Sequence, residues 1–167
     1  MNTQGATRKR KIKIERTYKA PLDDVWDLWT TKDGIEAWWG PDGFSVKVHT
    51  LDLRASGQMR YAMTASGAPQ IEFMKRAGMP LTTETLITFT EVTPKTRLAY
   101  DTLTDFIQGI EPYQAATLVE LFPIAGGVKM VLTIDAMHSE EWTQRAVMGW
   151  ESELGKLEKL IAQRGGR

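Results

Sequence analysis

The chain has 167 residues, 42% hydrophobic and 25% charged, and its 21 basic and 21 acidic residues cancel. A chain of that length builds a substantial core without staples, and zero net charge excludes a global electrostatic attraction to nucleic acid or to an anionic membrane. With no cysteine, disulfides, thiolate zinc sites and thiol nucleophiles are excluded together, and a reducing cytosol is a compatible compartment.

Residues 1–11 read as a basic lead-in. Arg8, Lys9, Arg10, Lys11 and Lys13 have no aromatic residue among them for base stacking, so this is a solvated stretch rather than a nucleic-acid arm. It has no apolar core of a secretory signal, and no run in the chain approaches the ~18 apolar residues of a membrane span. IKIERTYK (12–19) alternates as a strand. Pro21, followed by Asp23 and Asp24, opens a helix in which Leu22, Val25, Trp26 and Trp29 share a face. Ile35, Trp38 and Trp39 repeat that spacing in a second short helix, which Gly40-Pro41 stops.

The period then changes to two. FSVKVHTL (44–51), GQMRYAMT (57–64), TETLITFTEV (83–92), RLAYDTL (97–103), ATLVELF (116–122) and VKMVLTIDAM (128–137) alternate between turn-rich connections, which predicts an antiparallel meander. Residues 65–82 hold Gly67, Pro69, Gly78 and Pro80 and read as the least regular segment. The loop DFIQGIEPY (105–113) carries enough apolar residues to cover something. Ser139 is an N-cap for a long helix to about Ile161, with Trp142, Ala146, Trp150, Leu154, Leu157 and Ile161 as its stripe.

One antiparallel sheet has an apolar face that needs a cover, and the long helix carries the matching stripe. The expected fold is α+β: a curved antiparallel sheet of about seven strands wrapped around the C-terminal helix, with two short helices after the first strand. A curved sheet and a straight helix do not touch everywhere, so the packing leaves room for a cavity that large side chains could also fill.

The motifs ERTYKAPLDDVWDLWT, EAWWGPDGFSV, LDLRASGQMRYAM and GWESELGKLEKLIA, in this order, span nearly the whole chain. Together they resemble the START-like, SRPBCC helix-grip superfamily, and within it the subfamily homologous to the activator of heat-shock protein 90 ATPase, often grouped with polyketide cyclases. The resemblance implies a single such domain over 12–163. It also implies a hydrophobic small molecule as partner, bound between sheet and long helix. Some members cyclise polyketides, and the eukaryotic activators bind a chaperone through this domain within a two-domain protein. At 167 residues a second domain is not expected beside this one, which weighs against the activator role.

Chemistry-bearing motifs are sparse. His49 and His138 lie far apart and read as solvated or capping residues, so no metal site is expected. No metalloprotease, nucleophile-elbow, phosphate-loop or dinucleotide fingerprint appears, and no cofactor is implied. Glu72, Asp101, Glu111, Glu120 and Asp135 are the candidate carboxylates, and they are expected to face solvent. Tyr100 shares phase with Leu98 and points inward.

Candidate pocket residues come from each element that faces the interior. They are Trp39 and Phe44 around the Gly-Pro turn, Met59, Tyr61 and Met63 on the second meander strand, and Phe73 in the irregular segment. Phe89 and Tyr100 on the next strands, Phe106 in the loop, and Trp142, Ala146 and Trp150 on the long helix complete the set. Each would serve equally as a core residue. Eight methionines supply adaptable packing, and Ala146 and Gly149 thin the helix opposite the sheet. One of Trp38 and Trp39 should anchor the short helix in the core and the other face the cavity mouth. No catalytic residue is identified.

The leading function is non-catalytic binding of a hydrophobic small molecule. A cyclase- or hydrolase-type enzyme acting on a hydrophobic, polyketide-like substrate is the second reading, and a chaperone-associated interaction protein the third. A homodimer is compatible with the sequence, which carries no residue-level signal for one.

Overall fold

Alternation buries Ile14 and Tyr18 of β1 (Lys11–Tyr18), while Lys11, Lys13 and Glu15 stay in water. The computed structural model describes residues 10–105 and 107–165. Two short helices follow, α1 (Leu22–Thr30) and α2 (Lys32–Trp38). Thr31 joins them: it closes α1, and its hydroxyl accepts from the Gly34 amide to cap α2.

The meander runs through β2 (Phe44–Leu51), β3 (Gln58–Ala65), β4 (Thr82–Thr93), β5 (Arg97–Thr104), β6 (Tyr113–Ile124) and β7 (Gly127–Asp135). All neighbours are antiparallel, and the seven-stranded sheet has the order β1-β7-β6-β5-β4-β3-β2. β1 closes onto the last strand, Lys11 opposite Asp135, and their side chains form an ion pair. The sheet is curved, and α4 (Glu140–Gly165) crosses its concave face, so the fold is α+β of the helix-grip type. The Ser139 hydroxyl accepts from the Trp142 amide at 3.2 Å, which caps α4 as expected.

The irregular segment contains a helix that its glycines and prolines conceal. In α3 (Ala68–Arg76), Gly67 is the extended N-cap and Pro69 sits in the first turn, where its missing N–H costs nothing. Lys75 and Arg76 complement the negative end, and Gly78 leaves it with positive φ. The breakers mark the ends of this helix rather than its absence. β6 is also longer than expected, beginning at Tyr113 and running through Pro123 to Ile124.

The core lies between α1, α2, the second half of α4 and the sheet. Leu154, Leu157 and Ile161 of α4 are buried there with Trp29, Trp38, Leu98, Met130 and Leu132. Among the described residues, no helix is long and apolar enough to cross a membrane. Of the basic lead-in, Arg8 and Lys9 lie outside the described residues. Arg10 pairs with Glu140 at 2.7 Å, which ties the start of β1 to the start of α4.

Candidate functional site

The turn after α2 orders one end of the interior. Trp38 is fully buried; its indole N–H donates to the Leu28 carbonyl at 2.7 Å and its ring meets Trp29 edge-on at 4.7 Å. Trp39 ends the helix and points its ring towards the sheet, 5.5 Å from Tyr61 and 6.0 Å from Tyr100. So Trp38 is the anchor and Trp39 the wall residue. The chain reverses through Gly40 at φ +86°, a conformation glycine adopts without steric cost.

Three side chains of α4, within two turns of one another, hold that turn. Ser152 Oγ accepts from the Asp42 amide at 2.9 Å. The Glu153 carboxyl accepts from the Gly40 amide. Lys156 Nζ donates to the Gly40 carbonyl at 2.9 Å, with the Trp39 and Phe44 carbonyl oxygens at 3.4 and 3.5 Å. From the other side, Glu36 of α2 accepts from the Val48 amide at 2.7 Å, beside the register shift in β2, and from Lys32 at 2.9 Å.

Next to this turn the first half of α4 stands away from the sheet and leaves a cavity of about 380 Å³. The helix wall is Trp142, Arg145, Ala146, Gly149, Trp150 and Glu153. The sheet wall is Tyr61 and Met63 of β3, Ile87 of β4, Tyr100, Thr102 and Thr104 of β5, Ala115, Ala116 and Thr117 of β6, and Ile134 and Asp135 of β7. Trp39 closes one end and Met137 lies near the other. The gap exists because the stripe of α4 is thin here: a Cβ on Gly149 would meet none of the described residues within 4 Å.

Of the candidate pocket residues, Trp39, Tyr61, Met63, Tyr100, Trp142, Ala146 and Trp150 come together on these walls. Met59 and Phe89 do not reach them; both are sealed in the core, Phe89 against the Tyr100 ring at 6.3 Å. Phe44 is half-buried at the start of β2, outside the cavity lining. Phe73 is 64% exposed on α3, because the only buried residue of that helix is Met74, one position on. Phe106 lies outside the described residues.

The cavity is apolar except at a few places, and its inner end concentrates ionisable groups. Burial pushes the Glu153 carboxyl up from 4.5 to about 7, against the opposing pull of the Gly40 amide and the Lys156 ammonium. Burial also raises Tyr61 and Tyr100 well above the ordinary phenol range, so both stay neutral; hydrogen bonding with Thr85 and Thr117 opposes this only in part. Among the described residues the indole N–H of Trp39 has no hydrogen-bond partner. At the other end Asp135 is buried, contrary to the expectation that it faces solvent, because it accepts from the Ala116 amide at 2.9 Å and pairs with Lys11 across the β1–β7 ladder. Arg145 lies over the Trp142 ring at 4.8 Å and pairs with Glu141 at 2.9 Å.

Glu120, another candidate carboxylate, pairs with Arg97 at 2.6 Å, and Glu72 and Glu111 are exposed. His49 pairs with Glu84 at 3.3 Å, and His138 Nδ1 shares a hydrogen bond with the Tyr113 hydroxyl at 2.8 Å. Glu153 is a site residue that sequence reasoning missed. Its signal was available: it follows Trp150 by three positions and Ala146 by seven, on the same face of the helix. A glutamate on an apolar stripe is the anomaly to look for. Thr102, Thr104 and Thr117 were missed because threonine suits either face of a strand.

Solved structures with this fold come from several bacteria. A crystal structure of a Chromobacterium violaceum protein is 20% identical, superposes with TM-score 0.72 and is covered over 96% of its length by 90% of this chain. The AHSA1 protein of Silicibacter pomeroyi is 18% identical with TM-score 0.73, over 93% of this chain and 99% of that one. The solution structure of the AHSA1-like protein of Aeromonas hydrophila is 22% identical with TM-score 0.70, over 93% and 94%. At these identities the likeness shows the fold alone. No curated protein sequence matches the chain. The family model for Activator of Hsp90 ATPase homolog 1-like proteins matches residues 19–162, from the end of β1 almost to the end of α4, and the chain belongs to that family.

Proposed function

We propose that the protein binds a hydrophobic small molecule in the cavity between α4 and the sheet. The observation that carries this reading is the cavity itself: about 380 Å³, walled by Trp39, Tyr61, Tyr100, Trp142 and Trp150, with one carboxyl group at its inner end. Small-molecule sites have this character, a mostly apolar hollow of roughly 300–1,000 Å³ with few polar groups placed to orient a ligand. The test is native mass spectrometry of the purified protein with extraction of anything retained, together with titration of an apolar fluorescent probe. Gly149→Phe places a ring in the open space opposite the sheet. Probe binding by the wild type and its loss in a folded Gly149→Phe protein support the reading. Equal binding by both sinks it.

A second reading, turnover of a cyclase or hydrolase type, is favoured by Glu153. A carboxyl at about 7 inside an apolar cavity holds a proton near neutrality and can give or take it. An extracted ligand converted by the wild type and bound unchanged by Glu153→Gln would establish catalysis.

A further inference from the structure

Of the three acidic and basic side chains on the cavity wall, two have an ionic partner among the described residues. Asp135 is paired with Lys11 and Arg145 with Glu141. Glu153 has no basic group within ion-pair distance among the described residues, and its carboxyl is met by the Gly40 amide alone. Lys156, one turn along the helix, lies close enough to act on it through space. Its ammonium is nonetheless committed to the backbone carbonyls of the 39–44 turn. The groups facing Glu153 from the other elements are the phenols of Tyr61 on β3 and Tyr100 on β5, neither of which supplies positive charge.

We propose that the inner end of this cavity is a site for the protonated amine of an elongated lipophilic amine, with Glu153 as its counter-ion. The inference rests on the cavity being a ligand site, as proposed above. Two features of the place select a cation. A half-buried carboxylate against an apolar wall is costly without a counter-ion, and an ammonium removes that cost. The rings of Trp39, Tyr61, Tyr100 and Trp150 surround the same end, and aromatic faces attract a desolvated cation. The apolar remainder of the ligand would lie along Gly149 and Ala146 towards Arg145. The eight residues from Glu153 to Arg145 span about 12 Å of helix, long enough for an aryl group on a short alkyl chain.

The test compares naphthylbutylamine with its neutral and anionic counterparts, naphthylbutanol and naphthylbutanoate, by quenching of tryptophan fluorescence. At pH 8 the amine should bind at least tenfold tighter than either. Its affinity should rise about tenfold from pH 6 to pH 8, because Glu153 becomes charged over that interval while the amine stays protonated. Glu153→Gln should still bind the alcohol, with the preference for the amine gone. Binding of the alcohol by wild type with no advantage for the amine overturns this inference and leaves the cavity reading standing. A preference that survives in Glu153→Gln also overturns it, and binding of none of the three overturns both.

Discussion

Trp38 and Trp39 are neighbours in sequence with opposite surroundings. The Trp38 N–H is bonded to the Leu28 carbonyl, whereas the Trp39 N–H is buried without a partner among the described residues. Phenylalanine removes the indole N–H at either place. At position 38 it leaves the Leu28 carbonyl unmatched in the core; at position 39 it removes a donor that was already unmatched. Trp38→Phe should therefore destabilise the protein more than Trp39→Phe, by about 1–3 kcal/mol, in urea denaturation. Glu153 gives the second residue-scale prediction. Its pKa is raised on folding, so between 4.5 and about 7 the folded state holds a proton that the unfolded state has lost. Stability contributed by the protonated form is full below 4.5 and is lost as pH rises through that interval. Glu153→Gln cannot deprotonate. It should be more stable than wild type at pH 8 by about 1–3 kcal/mol, and the gap should shrink as pH falls towards 5.

At the scale of elements, α2 is pinned by groups of opposite charge on its two sides. Glu36 holds the Val48 amide of β2, and this bond keeps its carboxyl below the ordinary range. The linkage has the reverse sign to that of Glu153: the stabilisation is present above the unfolded value of 4.5 and lost as pH falls through the lowered folded value. Glu36→Gln should lower the thermal midpoint at pH 7, and the gap from wild type should shrink as pH falls below 4.5, read by circular dichroism. On the other side, Lys156→Ala frees the carbonyls of Trp39, Gly40 and Phe44, and amide exchange across 40–44 should accelerate ahead of the sheet. The elements themselves were largely legible. Period-two alternation marks every strand, and the stripe from Trp142 to Ile161 marks α4. The exception is α3, where Gly67, Pro69 and Gly78 read as an irregular segment because helix-ending residues and helix-breaking residues are the same residues. The site was half legible for a related reason. Bulky apolar residues announce an interior without saying whether it is filled, so Met59 and Phe89 in the core look the same in sequence as Met63 and Tyr100 on the wall.

Across the whole molecule, one helix has two jobs divided along its length. From Leu154 onwards α4 packs into the core; from Trp142 to Glu153 it spans a gap. Gly149 sits in the spanning half with open space in front of it, in a helical position where glycine costs backbone entropy. Gly149→Ala should therefore stabilise the protein by about 0.5–1 kcal/mol in chemical denaturation. Stability in this fold could be had by closing the cavity, and the sequence leaves it open.

The contacts that α4 makes with the 39–44 turn also set an order of assembly. Lys156 and Gly40 are separated by 116 residues, and Lys11 and Asp135 by 124. On a ribosome, β1 and the turn emerge first, and the groups of theirs that pair with β7 and α4 must wait for the last strand and the last helix. The inner wall of the cavity is then the final part to be built, and a nascent chain halted before Ser152 would present a curved sheet with its apolar face bare. Such closure by distant segments is slow and leaves sticky surface exposed in the meantime. The feature that gives the mature protein its hollow makes the unfinished one a natural client for whatever guards new chains against aggregation.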